Sequence, residues 1–462
     1  MRLQLALVPI LVLALCGCPD RTISAVVTEQ EKVESKDIPA VANRDLDLLF
    51  VIDKSPTMED EQAALTANFP RFMQILSQIE GGMPNIHVGV ISQDLGAGGL
   101  SVGGNCNGDG DNGELLATPR IPGCTPPTGR YISDVVSPDG RVRNYTGTLE
   151  DTFSCIATLG PFGCGFEQHL GSLKKALIDN PVNAGFLREN ALLAIIFISD
   201  EDDCTAKDPA IYHPSTPGVG PLADFRCFEW GWECDEGTLA RTPGTYTNCR
   251  PREDSPYLYH PDELVADIKA LKSDPDDIIV ATLIGPSATT DPAAPITRVT
   301  LGTVGGSTVP VIEPSCTNGE QNAFPMPRLA HFAQQFEWNY FSELCASDLG
   351  GSLVQIAKLI RRNWGEPCFE SDLDTTDLDP DNPGLQPACS VSDKNSAGET
   401  ILPPCKMATE DTPAADTAQP CWYVKPDPVR CDEYLTGLLF MVHPESRTVP
   451  SDTRTLVQCV SR

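Results

Sequence analysis

The sequence predicts an α/β fold, a doubly wound and mostly parallel sheet with cysteine-rich insertions, followed by a small disulfide-rich β domain. Three observations predict it. Between residues 45 and 364, apolar runs of strand length alternate with longer stretches whose apolar residues recur at helical spacing. Two of those runs stop on an aspartate, Asp53 and Asp200, and in an open sheet polar groups gather at the carboxyl ends of strands. After Trp364 the helical spacing ends, and six cysteines fall among Pro, Asp and short alternating runs.

Residues 1–17, with Arg2, an apolar run and small residues before Cys18, have the build of an export signal. The run is too short to span a bilayer comfortably. "LCGC" (Leu15–Cys18) resembles the bacterial lipobox, which implies lipidation of Cys18; a plain cleaved signal is the alternative. Counting favours Cys18 over Cys16. Of 18 cysteines, loss of Cys16 with the signal and lipidation of Cys18 leave 16, compatible with eight disulfides in an exported chain. Residues 18–44 are polar with weak periodicity and read as a tether.

The α/β elements follow in order. "LDLLFVID" is a buried strand, the stretch after it has Leu65, Phe69, Phe72, Met73, Leu76 and Ile79 at helical spacing, and "IHVGVISQD" is a second strand. Strand, helix, strand with this apolar content implies a right-handed parallel crossover. An insertion near 95–149, rich in Gly, Asn, Asp and Pro, precedes helices near 150–159 and 167–178. "ALLAIIFISDEDD" is the most apolar strand. A second insertion, 201–260, leads to a helix at "PDELVADIKALK" and a strand at "DDIIVATLIGP". A third, 286–325, precedes the helix "RLAHFAQQF", the strand "EWNYFSELC" and a closing helix "LGGSLVQIAKLIRRN". Residues 365–462 then form the cysteine-rich β unit, with strands expected at "CWYVKP", "LTGLLFMVHP" and "TLVQCVS".

Charge narrows the function classes. With 64 Asp and Glu against 33 Lys and Arg, the formal charge is −31, a surface that repels nucleic acid and anionic lipid and suits cations or basic partners. No G-x-S-x-G elbow or H-E-x-x-H is present, and the six histidines show no pair at metal-ligand spacing in the chain, so no enzyme is expected. "GPFGCG" lacks the Gly-Lys-Ser/Thr of a phosphate loop. A calcium loop starting at Asn107 fails at its sixth and twelfth positions, Asn112 and Thr118.

In a turn after a strand, side chains two apart can converge, so Asp53, Ser55 and Thr57 offer one carboxylate and two hydroxyls to a hard cation such as Mg2+. Ser and Thr before a helix are equally ordinary caps.

"DLLFVIDKSPTM" with its helix, then "VGVISQD" and "AIIFISDEDDC", together resemble a von Willebrand factor A domain over roughly residues 45–362. "CGFEQ" and "SDEDDC" further resemble cysteine-rich, lipobox-bearing members of myxobacterial type. The resemblance implies an exported, lipid-anchored protein of the bacterial cell envelope, at the outer membrane. It would bind a protein partner through a metal-ion-dependent adhesion site, with Mg2+ (or Mn2+ or Ca2+) completed by a partner's carboxylate. Carried over, the site residues are Asp53, Ser55, Thr57 and Asp200; because the loop "GPFGCGFEQ" lacks the family's threonine, Glu167 or a water would supply the further oxygen donor. Lys54 and Pro56 also depart from the family motif. The alternative is an envelope scaffold whose site holds no metal.

Overall fold

The structure, a computed structural model, describes residues 32–462 apart from 41–43, 79–81, 104, 291–295, 305, 320, 366, 433, 445–446 and 451–452. The expected signal, Cys18 and the first part of the tether lie outside the described residues.

The largest sheet has seven strands. The chain runs through β1 (Lys32–Pro39), which belongs to another sheet, then β2 (Asp45–Ile52), β3 (Asn85–Ser92), β4 (Ile132–Ser137), β5 (Gly140–Arg143) and β6 (Leu192–Ile198). Strands Ile278–Ile284 and Trp338–Glu343 complete the sheet. Its order is 338–343, 278–284, β6, β2, β3, β4, β5. The five strands expected from their apolar runs are mutually parallel, with Leu46 opposite both Ile86 and Leu192.

The helices are α1 (Glu59–Ser77), α2 (Leu149–Ala157), α3 (His169–Lys174), α4 (Phe225–Gly231), α5 (Pro261–Lys269), α6 (Pro327–Gln334) and α7 (Leu349–Asn363). Successive side chains of β2 point to opposite faces. Leu46, Leu48, Phe50 and Ile52 meet α1, α2 and α7, where the Phe69 and Phe153 rings stack at 3.8 Å. Leu49 and Val51 join the layer containing α3, α5 and α6. Both faces are thereby covered, as a parallel sheet requires.

This winding positions the site. From β2 the chain crosses by α1 to β3, and it later reaches β6, on the opposite side of β2, by way of α3 on the other face. Loops leaving β2 and β6 diverge at their carboxyl ends, the switch point at which open α/β sheets place ligands.

Three sequence expectations need correction. Part of the first insertion joins the sheet, since β4 pairs antiparallel with β3 and β5 with β4. "ISDVVS" is paired on both sides but buries only Ile132 and Asp134, so its apolar signal is faint. The helix expected from residue 167 begins at His169 and widens at Lys175–Asp179 into one π-helical turn, leaving Glu167 in the loop. Residues 32–39 of the expected tether are the strand β1, paired antiparallel with Arg454–Ser461 from Lys32↔Ser461 to Pro39↔Arg454. Only Glu34 of β1 is buried, and its carboxylate accepts hydrogen bonds from the backbone N–H groups of Glu370 (2.8 Å) and Ser371 (3.0 Å). Main-chain pairing with no apolar face explains why this strand reads as a tether.

The C-terminal region places β1, 454–461, 389–395 and 398–401 in one sheet and pairs Cys421–Pro426 with Leu438–His443. Phe369, Trp422, Val424, Phe440 and Val457 share its small core. All sixteen cysteines expected to pair do so: 106–164, 124–155, 204–227, 234–249 and 316–345 in the α/β region, and 368–431, 389–459 and 405–421 in the C-terminal region.

Candidate functional site

Asp53 stands one residue beyond β2 and is fully buried. Its backbone N–H still donates to Ile198 O (2.9 Å), so the end of the ladder with β6 fixes its position. Its Oδ1 accepts from the Ser55 N–H (2.7 Å), which tightens the turn, and its Oδ2 accepts from Ser199 Oγ (2.6 Å). Ser55 Oγ and Thr57 Oγ1 lie 3.1 Å apart, and the Thr57 hydroxyl also reaches the Asp200 carboxyl. Asp53, Ser55, Thr57 and Asp200 therefore converge. The hydroxyls cap nothing: α1 has no side-chain cap.

Lys54 is turned away from this point. Its ammonium pairs with Asp94 Oδ2 (3.0 Å) and with Asp111, which also accepts from Ser92 Oγ (2.6 Å). Asp111 comes from the acidic loop that fails the calcium-loop test, and here that loop serves as counter-charge to Lys54. The Pro161–Gly165 segment lies across the same turn: Gly163 N–H donates to Lys54 O (2.7 Å), and a Cβ on Gly163 would sit 2.8 Å from that oxygen. Disulfide Cys106–Cys164 ties this segment to the acidic loop.

Glu167 follows, 2% exposed, and its Oε1 has no hydrogen-bond partner among the described residues. The loop holding it is fixed by Cys204 N–H to Glu167 O (2.5 Å) and Gln168 N–H to Gln93 O (3.0 Å). Two further carboxylates were missed by the sequence reading. Glu61, in the first turn of α1, is buried with its Oε2 unpartnered, and it resembles any acid placed against a helix N-terminus. Glu201 follows Asp200 directly, and its carboxyl faces that of Glu167.

The electrostatics of this cluster are one-sided. Burial, then the charges of Glu201 and Asp53, push the Glu167 carboxyl well above the ordinary range. Burial and the Asp53 charge do the same to Asp200, and burial with the Asp224 and Asp200 charges to Glu201. Burial also raises Glu61. His169, whose ring nitrogens are both buried and unpartnered, is held towards its neutral form by burial and supplies no positive charge. None of the five carboxylates forms an ion pair with Lys or Arg among the described residues. Buried carboxylates in that state either take up protons or hold a cation. The unpartnered Oδ1 of Asp200 and the Ser55 and Thr57 hydroxyls are hard donors of the kind Mg2+ or Mn2+ selects, and with Asp53 they fit such an ion, whereas no three of the five carboxylates bring their oxygens within 4.8 Å of one another.

The cluster has an opening. A cleft of about 320 Å³ lies over Thr57 and Asp200, lined by Pro56, Glu59, Asp60, Gln321, Asn322 and Phe324. Phe324 N–H donates to Asp200 O (2.8 Å), so the third insertion forms one wall. Asp202 and Asp203 face elsewhere. Asp202 accepts from the N–H groups of Arg328 and Leu329 at the start of α6 and from Trp232 Nε1 (2.8 Å), and burial raises its pKa to about 6. Asp203 accepts from the Leu170 N–H and pairs with the buried Arg328 (3.0 Å).

No family model and no curated protein matches the chain. Among solved structures, it is similar to a pilus adhesin of Lactobacillus rhamnosus GG in its open conformation, at 12% identity and a TM-score of 0.31 over 90% of this chain and 38% of that one. A von Willebrand factor type A protein from Catenulispora acidiphila gives 7% identity and a TM-score of 0.28, covering 93% of this chain and 65% of that one. The von Willebrand domain of a type V pilus tip protein from Porphyromonas gingivalis gives 12% and 0.30, with 71% and 99% covered. The chain spans under two fifths of the Lactobacillus adhesin's length. Likenesses of this size carry no weight for fold or function. The α/β fold is carried by the chain's own sheet topology.

Proposed function

We propose that this chain is an exported, lipid-anchored binding protein of the bacterial envelope, in which a von Willebrand-type α/β domain takes a protein partner through a divalent cation. A single observation supports it most. Around the switch point, among the described residues, the Asp53 and Asp200 carboxylates and the Ser55 and Thr57 hydroxyls converge, with Glu61, Glu167 and Glu201 close by and no Lys or Arg paired to any of the five carboxylates. Asp53, Ser55, Thr57 and Asp200 would hold the ion, with Glu167 as the added donor. A bound Mg2+ or Mn2+ supplies a Lewis-acidic bridge to an oxygen of the partner, without turnover.

The residues around the cleft shape what can approach. Glu59 and Asp60 are exposed on its rim and repel a bare carboxylate, so the partner's oxygen donor would be flanked by Lys or Arg. Ser199 and the Ser55 N–H hold the Asp53 carboxylate in place, and the Gly163 segment holds the turn.

The anchor would sit beside the C-terminal β domain. Residues 19–31 separate Cys18 from β1, a reach of at most roughly 45 Å when extended. A metal-free scaffold is the competing reading. The raised pKa values of Glu167, Asp200 and Glu201 favour it, since protonated carboxyls can satisfy one another without an ion.

The test is capture of envelope proteins by the mature chain in Mg2+ and in chelator. A partner retained only in Mg2+, and lost on Asp53→Ala, supports the adhesion reading. A partner retained equally in chelator and by the variant supports the scaffold.

A further inference from the structure

The geometry points to a second metal site, of different chemistry, at His260, Asp262 and His331. We infer that these three side chains bind Zn2+ at the surface, linking the start of α5 to α6. His260 and Asp262 are two residues apart, but His331 lies about seventy residues further on, and no chain spacing announces its place beside them. In the fold, one ligand atom from each lies within 4.8 Å of the other two. His331 Nε2 is 2.7 Å from Asp262 Oδ1, His260 Nδ1 is 3.4 Å from Asp262 Oδ2, and the two rings cross at 73° with centroids 5.4 Å apart.

Two imidazoles and one carboxylate are a donor set that Zn2+ accepts, and three protein ligands leave its fourth position open to water or a partner group. Mg2+ discriminates against the same set, because it favours oxygen donors and retains its waters. The other Cys, His and acid grouping of this kind among the described residues, Cys316, Glu343 and Cys345, is spent, because its cysteines form a disulfide.

The ligands are pre-positioned. His260 is the N-cap of α5: its Nδ1 accepts from the Asp262 N–H (3.3 Å), a bond that Zn2+ at that atom would replace, while its backbone N–H donates to Glu263 Oε1 (3.0 Å) and holds the residue at the helix start. The two ligand-bearing elements are locked together by buried Arg328 of α6, whose Nη2 donates to Tyr259 O (2.7 Å), next to His260, and to Asp203. A small rearrangement suffices to bring three atoms onto one ion, with a chelate that needs little ordering. Burial, the first cause, lowers the His260 pKa and favours the neutral ring that metals require. Gln335, 3.5 Å from His331 Nε2, is the side chain that competes for that atom. The plain alternative is that Asp262 forms an ion pair with protonated His331 and His260 serves as a cap.

The experiment is a Zn2+ competition titration against a chromogenic chelator, on the full chain in millimolar Mg2+. Wild type is compared with His331→Gln, with His260→Asn, which keeps a cap acceptor, and with the double variant. One Zn2+ per chain is expected in wild type, at least tenfold weaker in each single variant and lost in the double, with unchanged circular dichroism in metal-free buffer. The Asp53→Asn variant should bind Zn2+ as wild type does. Undiminished Zn2+ binding by the double variant, or loss of it in Asp53→Asn, would overturn the assignment; the first outcome leaves the acidic cluster's own case untouched.

Discussion

In the α/β region β2 is buried from Leu46 to Ile52 between two layers of helices, whereas β1 in the C-terminal sheet buries only Glu34 and is held by main-chain pairing. The first region draws on continuous apolar burial. The second has a smaller core and three disulfides, one of which, Cys389–Cys459, joins directly opposed residues of two paired strands. Small cores need covalent staples to persist. The difference teaches where each region is vulnerable: to cavities in one, to reduction and lost backbone pairing in the other.

The largest expected effect is a cavity. Phe153→Ala removes a ring stacked on Phe69 and tilted against Phe50, and should cost about 3–5 kcal/mol in equilibrium denaturation. Cys389→Ser with Cys459→Ser should cost about 2–5 kcal/mol. Hydrogen exchange should then accelerate in β1 and 454–461 while β2 and β6 keep their protection. Equal loss in β2 would break the comparison. Glu34→Ala strands the N–H groups of Glu370 and Ser371, with an expected cost of about 1–3 kcal/mol, read as local exchange at those two amides.

A smaller effect is pH-dependent. His87, buried with Nδ1 2.8 Å from Phe186 O, has its pKa lowered below the ordinary 6.5, chiefly by burial. The unfolded chain therefore takes up the proton first. His87 contributes stability above about pH 6.5 that is lost as pH falls through its folded pKa, at no more than about 1.4 kcal/mol per pH unit. Thermal melts should show wild type losing stability faster than His87→Gln between pH 6.5 and 5; parallel slopes would refute this.

The same contrast explains what was legible in the sequence. The five parallel strands were readable because sheets covered on both faces require apolar runs, and Asp53 and Asp200 were readable because they end two such runs. β1 and β5 were not, since edge strands bind through their backbones and leave side chains in water, and neither was β4, which is paired on both sides but buries only Ile132 and Asp134. Glu61 and Glu201 were hidden for another reason: each stands where an acid is ordinary, in a helix's first turn or beside a turn aspartate. Only folding shows that their carboxyls point inward. Lys54, which spoke against a cation from its position in the chain, is neutralised by Asp94 and Asp111 from loops that local pattern could not connect to it.

Calorimetric titration of Mg2+ into the metal-free full-length chain, wild type against Asp53→Asn and Asp200→Asn, tests the central claim most directly. One saturable site in wild type, abolished in both variants while their circular dichroism is retained, is the predicted result. Absence of a saturable site in wild type, or its survival in both variants, would contradict the account.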